Sequence, residues 1–244
     1  MSYTLFISDL HLEESRPEHL KGLEHLLAEH AGKCDALYVL GDLFETWIGD
    51  DDDSAFNLAA IDAFAQFSKS GSKLYFMHGN RDFLLGEGFA KATGGTLLEE
   101  GTVVDLYGTP TLLMHGDSLC TLDEKYMAFR EQVRNPQWQA MMLAKPLEER
   151  RMIAQMMRMQ SQQNNANKAE NIMDVTPEEV VREMEAHGVQ QLIHGHTHRP
   201  AVHDITLSTG PAQRWVLGDW GEYGWQIVAQ PGKPFSLERF PITP

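Results

Sequence analysis

The chain has 244 residues, 42% of them hydrophobic and 23% charged, and its 35 acidic against 20 basic residues give a formal net charge of −15. This composition is typical of a globular protein, and it excludes a coiled coil, a collagen-like chain and a mostly disordered chain. The acidic balance argues against a nucleic-acid partner, no apolar run approaches the ~18 residues of a membrane span, and Met1–Phe6 lacks the pattern of a secretory signal. Two cysteines, Cys34 and Cys120, cannot form a disulfide scaffold.

Short strand-like runs alternate with helix-length segments in the first part of the chain. The predicted strands are Tyr3–Ile7, Ala36–Leu40, Lys73–Met77, Thr111–Met114 and Gln191–Ile193, and the predicted helices are Pro17–His30 and Ser54–Ser70. This alternation predicts an α/β layered sheet. Near the C-terminus, Gly and Pro turns separate four further strand-like runs, which predict an antiparallel or mixed continuation of the sheet. These runs are Ala201–Leu207, Gln213–Leu217, Gly224–Ala229 and Phe235–Phe240.

One block, Thr121–Glu170, differs from the rest of the chain. It holds seven of the twelve Met residues, and its eight Lys or Arg outnumber its six Asp or Glu. A basic, Met-rich helical block inside an acidic α/β chain indicates an inserted cap. We therefore expect a core of residues 1–120 and 171–244 with a helical cap at 121–170.

Side chains that can bind metals follow five of the predicted strands. The sites of open α/β sheets form just past the carboxyl ends of the strands, so these side chains are expected to converge. The residues are Asp9, His11, Asp42, Asn80, His115, His196 and His198. Seven carboxylate, amide and imidazole ligands are more than the four that one tetrahedral zinc ion takes. They suit two divalent ions that share a carboxylate. Such donors favour manganese, with iron and zinc as alternatives.

Other polar residues have ordinary structural interpretations. We expect His78 and His194 to pack at strand ends, and we interpret Asp50–Asp53 as a solvated acidic turn or helix start. The remaining histidines are expected to be surface or helix residues: His19, His25, His30, His187 and His203.

The strand-end motifs resemble those of the calcineurin-like metallophosphoesterase family. That family carries Asp-x-His, Gly-Asp, Gly-Asn-His-Asp or Glu, His, and Gly-His-x-His; the corresponding segments here span Ser8 to His198. Longer matches resemble family members that cleave a nucleotide-linked glycolipid in bacterial lipid A biosynthesis, and they include the insert. They are residues 6–12 (FISDLHL), 41–51 (GDLFETWIGDD), 78–86 (HGNRDFLLG), 114–117 (MHGD), 172–175 (IMDV) and 194–200 (HGHTHRP).

The resemblance implies a four-layer α/β/β/α sandwich with an inserted helical cap and two manganese ions. Asp9, His11, Asp42 and His198 would hold one ion, and Asn80, His115, His196 and the shared Asp42 the other. The implied catalytic residues are Asp42, Asn80, Arg81 and His196. The implied substrate contacts are Asn80, Arg81, Asp123, Ser161, Asn165, Lys168 and His196. Water would attack the phosphorus nearer uridine, giving UMP and an acylated sugar 1-phosphate.

Arg81 stands where many members of the family have histidine. Histidine can protonate an alkoxide leaving group, whereas arginine stays protonated at any working pH. A phosphate monoester leaving group needs little protonation, because its second pKa lies near ~6. Arg81 therefore favours cleavage of a diphosphate bond over cleavage of an alkyl phosphate ester.

Alternatives stay open at this point. The Met-rich cap could pack on the core, or it could form a groove for acyl chains and rest peripherally on the cytoplasmic face of the inner membrane. The enzyme could instead act on a soluble nucleotide or a phosphoprotein. A non-catalytic scaffold of the same fold is a further alternative, although scaffolds usually lose metal ligands. We expect a monomer, because no self-complementary apolar element stands out.

Overall fold

The computed structural model describes residues 2–165 and 174–242. Two β-sheets form its centre. The strands are β1 (Thr4–Ile7), β2 (Ala36–Leu40), β3 (Lys73–Met77), β4 (Thr96–Leu98), β5 (Thr102–Leu106), β6 (Thr109–Leu113), β7 (Gln191–His194), β8 (Ala201–Leu207), β9 (Gly210–Val216), β10 (Tyr223–Ala229) and β11 (Ser236–Pro241). The helices are α1 (Pro17–His30), α2 (Ala55–Lys69), α3 (Glu87–Thr93), α4 (Glu124–Arg134), α5 (Pro136–Leu143), α6 (Leu147–Asn165) and α7 (Pro177–Ala186).

The first sheet has the strand order β11-β10-β1-β2-β3-β4. Strands β1 to β4 are parallel, while β10 and β11 extend the sheet in antiparallel fashion. Successive residues point to opposite faces of a strand. Leu37 and Val39 accordingly pack in the core under α1 and α2, and Tyr38 and Leu40 pack between the two sheets.

The second sheet has the order β5-β6-β7-β9-β8, with β6, β7 and β9 parallel. Its inner face contributes Leu113 and Ile193 to the core between the sheets. Its outer face contributes Leu112 and Leu192 to a third core, which α7 covers. The layers are therefore helix, sheet, sheet and helix, and the predicted four-layer α/β/β/α sandwich is confirmed.

The C-terminal runs form strands as predicted, but they do not extend one sheet. The pair β8 and β9 joins the second sheet, and β10 and β11 join the first. Two strands were missed. Strand β4 has only three residues, and β5 (TVVDL) has two adjacent valines and no regular alternation of apolar and polar residues.

Helices α4, α5 and α6 follow one another with no strand between them. They lie in the Met-rich segment, residues 121–170, that the sequence predicts to be a cap. These three helices together form the helical block. Within the described residues, no helix is long and apolar enough to cross a bilayer.

The acidic turn at Asp50–Asp53 and the serine that follows it cap two helices. Ser54 caps α2, as the sequence predicts, and accepts a hydrogen bond from the backbone N–H of Asn57. Asp50 accepts hydrogen bonds from the backbone N–H groups of Gly86 and Phe89, at the start of α3. The capping of α3 requires a contact between distant segments, so local sequence could not reveal it.

Candidate metal centre

The predicted ligands converge at the carboxyl ends of the parallel strands of both sheets. Backbone hydrogen bonds join the loops: the N–H of His11 donates to the Asp42 carbonyl at 3.0 Å, and that of Gly195 to the His115 carbonyl at 2.9 Å. The N–H of His196 donates to both carboxylate oxygens of Asp9, at 3.0 and 3.1 Å. These bonds bring the ligand-bearing loops of the two sheets together.

The backbone of the site is strained. Among the described residues, six non-glycine residues have a positive φ, and all but Tyr107 are predicted ligands. Asp9, His11, Asp42, His196 and His198 have φ between 47° and 67°. Such conformations cost roughly 1–3 kcal/mol each and are concentrated at functional sites, where the surrounding structure enforces them.

Glycines permit the close approach of the loops. A Cβ atom on Gly79 would lie 2.1 Å from an Asp42 carboxylate oxygen, and one on Gly195 would lie 2.2 Å from an Asp9 carboxylate oxygen. Any side chain at these two positions would displace a predicted ligand, which explains why glycine occurs beside them.

The donor atoms fit a pair of cations. Asp42 faces two histidines: one carboxylate oxygen lies 3.9 Å from His11 Nε2 and the other 3.6 Å from His115 Nε2. Ligand atoms of two groups lie within 4.8 Å of one another; these are Asp9, His11 and His198, and Asp9, Asp42 and His115. Asp9 belongs to both groups, whereas Asp42 belongs to the second only. The two oxygens of Asp42 nevertheless face an imidazole of each group, His11 and His115, which is the placement that a shared ligand requires.

The hydrogen bonds of the histidine rings support the same interpretation. His115 Nδ1 lies 2.8 Å from the Leu40 carbonyl, which can only accept, so Nδ1 carries a proton and Nε2 faces Asn80 Oδ1 at 3.1 Å. His11 Nε2 and His198 Nε2 lie 3.2 Å apart. Two imidazole nitrogens at this distance need a proton or a metal ion between them, because their lone pairs would otherwise repel each other. In metal sites, the histidine nitrogen that does not bind the metal commonly donates its proton to a carbonyl or a carboxylate, as His115 Nδ1 does to the Leu40 carbonyl.

The charged side chains of the site also favour the binding of cations. Burial disfavours the charged form of His115, but Asp42, Asp117 and Asp9 outweigh this effect and raise its pKa to about 9. Burial likewise opposes ionisation of Asp9, yet His198, His115 and His11 hold its pKa below the ordinary value. Carboxylates that stay ionised and favour a positive charge on a neighbouring imidazole would attract divalent ions as well.

Three of the remaining predicted site residues line one cavity. A cavity of about 660 Å³ lies between the metal centre and helices α4 to α6. Arg81, Asp123 and Ser161 line it together with predicted ligands. Lys168 lies outside the described residues, and so does the side chain of Asn165.

Helix α4 is tied to the site through buried charges that the sequence did not reveal. Asp117 is fully buried and accepts hydrogen bonds from Tyr126 and from Arg130 Nε, the latter at 2.9 Å. Arg130 also pairs with Glu100, and Arg134 donates to the Gly79 carbonyl at 2.9 Å. Asp117 is the last residue of the 114–117 segment (MHGD) that resembles the family, and nothing local in the sequence pointed to Arg130.

The two strand-end histidines, His78 and His194, pack as predicted. His78 Nε2 lies 2.7 Å from the Leu85 carbonyl, and His194 is fully buried with Nε2 3.1 Å from Arg214. The prediction of ordinary helix or surface histidines needs one refinement: His19 is buried and contacts the Leu10 carbonyl at 3.0 Å.

A fold of two sheets between helices, with strand-end carboxylates and histidines gathered at one edge, defines a metal-dependent phosphoesterase. The model of the calcineurin-like phosphoesterase family matches residues 3–200, and the chain belongs to this family.

Three relatives resemble the chain over nearly its whole length. The UDP-2,3-diacylglucosamine hydrolase of Cellvibrio japonicus is 57% identical over 226 residues, which cover 93% of this chain and 94% of that protein. The proteins of the same name from Marinobacter nauticus and Coxiella burnetii are 52% and 49% identical, and each match covers at least 98% of both chains. A solved structure of a novel archaeal phosphodiesterase shares the fold at a TM-score of 0.51 with 12% identity, covering 98% of this chain and 99% of that one.

Proposed function

We propose that the protein hydrolyses the diphosphate bond of UDP-2,3-diacylglucosamine, giving UMP and 2,3-diacylglucosamine 1-phosphate, a step of lipid A biosynthesis. The cavity carries this proposal. One part is lined by predicted metal ligands, and another by Trp138, Met142 and Met157 of the helical block. A substrate with a diphosphate and acyl chains matches both parts. The near full-length similarity to three hydrolases of this name supports the same substrate.

The proposed cofactor is a pair of manganese ions. Asp9, His11, Asp42 and His198 would hold one ion, and Asn80, His115, His196 and Asp42 the other. When bound, two such ions lower the pKa of a water molecule and offset the charge on phosphate oxygens. The oxygen and imidazole donors support manganese.

The protein's own residues would bind and orient the diphosphate. Arg81 lines the cavity, so its guanidinium is placed to contact phosphate oxygens. The backbone N–H of Arg81 donates to Asp42 at 2.9 Å, which fixes this loop beside the shared ligand. The ring of Tyr126 stacks at 6.0 Å on His196, the second proposed phosphate contact. Asn80, Asp123, Ser161, Asn165 and Lys168 are proposed as further substrate contacts.

The direct test uses purified protein, manganese and detergent-dispersed UDP-2,3-diacylglucosamine in ¹⁸O-labelled water. We expect UMP as a product, with the label in UMP because water attacks the uridine-side phosphorus. Label in the sugar 1-phosphate would keep the substrate but reverse the attacked phosphorus. A protein that binds manganese and leaves this substrate intact would refute the proposed function.

Replacement of Arg81 tests the leaving-group argument. We expect Arg81→His to lower kcat/KM for the diphosphate by about 10²-fold, because a bidentate cation is lost and the new acid is not needed. Arg81→Lys keeps the charge and should lose less. Steady-state rates of UMP release measure both variants, and a faster Arg81→His enzyme would overturn the argument.

We further propose that residues 121–170 form a cap that rests on an anionic membrane surface, with residues 1–120 and 171–244 as the core. Met152, Met156 and Met159 of α6 are 58%, 57% and 56% exposed. Exposed apolar patches mark interaction surfaces. Residues 121–170 also carry eight Lys or Arg against six Asp or Glu, a balance that suits anionic lipid. This outward stripe is distinct from Met142 and Met157, which line the cavity.

Vesicle flotation tests the cap surface. Changing Met152, Met156 and Met159 together to Gln should weaken binding to phosphatidylethanolamine–phosphatidylglycerol vesicles at least about tenfold, since each buried Met contributes on the order of 1 kcal/mol. The matched control changes three exposed apolar residues elsewhere, Leu58, Val103 and Val202, to Gln. Equal loss in both triple variants would contradict the proposed surface.

A further inference from the structure

Glu45 lies between the metal centre and the helical block. It follows β2 by a few residues and is buried. Its Oε2 lies 2.7 Å from His11 Nδ1. Because an ionised carboxylate only accepts, Nδ1 carries the proton and His11 Nε2 faces His198 and Asp42.

The second oxygen of Glu45 is engaged from the opposite side. Oε1 forms an ion pair with the guanidinium of Arg158, on α6. One buried carboxylate therefore contacts a predicted ligand through one oxygen and the helical block through the other. Without Arg158, the buried Glu45 carboxylate would lose this cationic partner.

We propose that Glu45 is a positioning residue that orients His11 for metal binding and is itself held in place by Arg158 of α6. The inference rests on the proposed metal site. It adds that the helical block contributes to metal affinity as well as to the cavity. Residues that hold the outer nitrogen of a histidine ligand typically account for a 10–100-fold difference in metal affinity.

Calorimetric titration of metal-free protein with Mn²⁺ tests the role of Glu45. Glu45→Gln keeps the size but has only one acceptor oxygen, so it cannot accept from both His11 and Arg158. We expect its Mn²⁺ affinity to fall about 10–100-fold. The control is Glu149→Gln, on the same helix as Arg158. It removes an exposed ion pair with Lys145 and should leave the Mn²⁺ affinity unchanged. Glu45→Asp, whose shorter side chain cannot span both partners, provides a second variant with the same expected loss.

The melting temperature of the metal-free protein separates positioning from folding. A Glu45→Gln variant that melts earlier yet binds Mn²⁺ as tightly as the parent protein would overturn the proposal. A variant that keeps its melting temperature within a few degrees and loses affinity supports it.

A double-mutant cycle tests the link to α6. Arg158→Gln removes a cation that repels metal ions, and it also releases Glu45. The loss of this repulsion changes the Mn²⁺ affinity of the parent protein and of the Glu45→Gln variant alike. The difference between the effects of Arg158→Gln in these two proteins therefore measures the link through Glu45. We expect Arg158→Gln to be at least about threefold more harmful to Mn²⁺ affinity in the parent protein than in Glu45→Gln. Equal effects in both backgrounds would refute the link, and Arg151→Gln, on the same helix, is the matched control.

Failure of the Glu45 proposal can be distinguished from failure of the proposed function, because these experiments measure Mn²⁺ affinity and not substrate cleavage. If the parent protein binds Mn²⁺ but does not cleave UDP-2,3-diacylglucosamine, the substrate proposal fails while the Glu45 proposal can still pass its tests. If it cleaves the substrate and Glu45→Gln binds Mn²⁺ normally, only the Glu45 proposal fails.

Discussion

Asp42→Asn is expected to lower kcat/KM for UDP-2,3-diacylglucosamine at least about 10³-fold, equivalent to roughly 4 kcal/mol of transition-state stabilisation. The two oxygens of Asp42 face different histidines, at 3.9 and 3.6 Å, so this carboxylate is placed to serve both ions. Asparagine keeps the shape and can still accept from the Arg81 N–H, but its amide nitrogen is not a metal ligand. The variant should fold normally and bind fewer than two manganese ions per chain.

Rates of UMP release and metal content after gel filtration check this result. Asp62→Asn is the matched control, because Asp62 is an exposed carboxylate on α2 far from any predicted ligand in sequence. Activity of Asp42→Asn within tenfold of the parent protein would contradict a shared-ligand role. Full activity loss with two ions still bound would instead assign Asp42 a role in the reaction alone.

The convergence of the predicted ligands was predictable from sequence for a definite reason. Parallel strands deliver their carboxyl ends to one edge, and five strand-like runs ended in carboxylate, amide or imidazole residues. The pattern of strand followed by Gly-Asp or His-Gly needs no knowledge of tertiary contacts. The same local rules predicted the bounds of β2, β3 and α1 correctly.

The groups that support the ligands were not predictable in this way. Glu45 contacts Arg158, and Asp117 contacts Arg130, across segments whose relative placement only the fold establishes. A carboxylate in a loop and an arginine on a helix are common surface residues, so their sequence carries no signal of burial. Division of the C-terminal strands between two sheets also depends on long-range pairing, because either sheet offers an edge to an alternating strand.

The inter-strand loops also contain a buried carboxylate outside the ligand set, Asp82. It accepts hydrogen bonds from the backbone N–H groups of Leu43 at 2.7 Å, Gly79 at 2.7 Å and Phe44 at 3.4 Å. Burial, together with the charge of Asp42, raises its pKa to about 6. Asp82 thus holds the loop of Asp42 against the loop of Asn80 even though its own ionisation is disfavoured there.

We expect Asp82→Ala to lower the free energy of unfolding by roughly 3–5 kcal/mol, because it leaves three buried N–H donors unsatisfied at about 1–3 kcal/mol each, partly offset by relief of repulsion with Asp42. In metal-free protein this corresponds to a melting temperature roughly 8–15 °C lower. Urea unfolding and thermal melts in EDTA measure both quantities.

Two comparison variants identify the cause of that loss. Asp105→Ala removes an exposed turn carboxylate that accepts from the Gly108 N–H, and it should cost no more than about 1 kcal/mol. Asp82→Asn keeps one acceptor oxygen and removes the charge beside Asp42, so its loss should fall between the two. If Asp82→Ala were as stable as Asp105→Ala, the hydrogen bonds to Leu43 and Gly79 would not hold the ligand loops together. In that case the strained backbone conformation of Asp42 would have to be enforced by two other hydrogen bonds. The N–H of His11 donates to the Asp42 carbonyl, and the N–H of Arg81 donates to the Asp42 carboxylate.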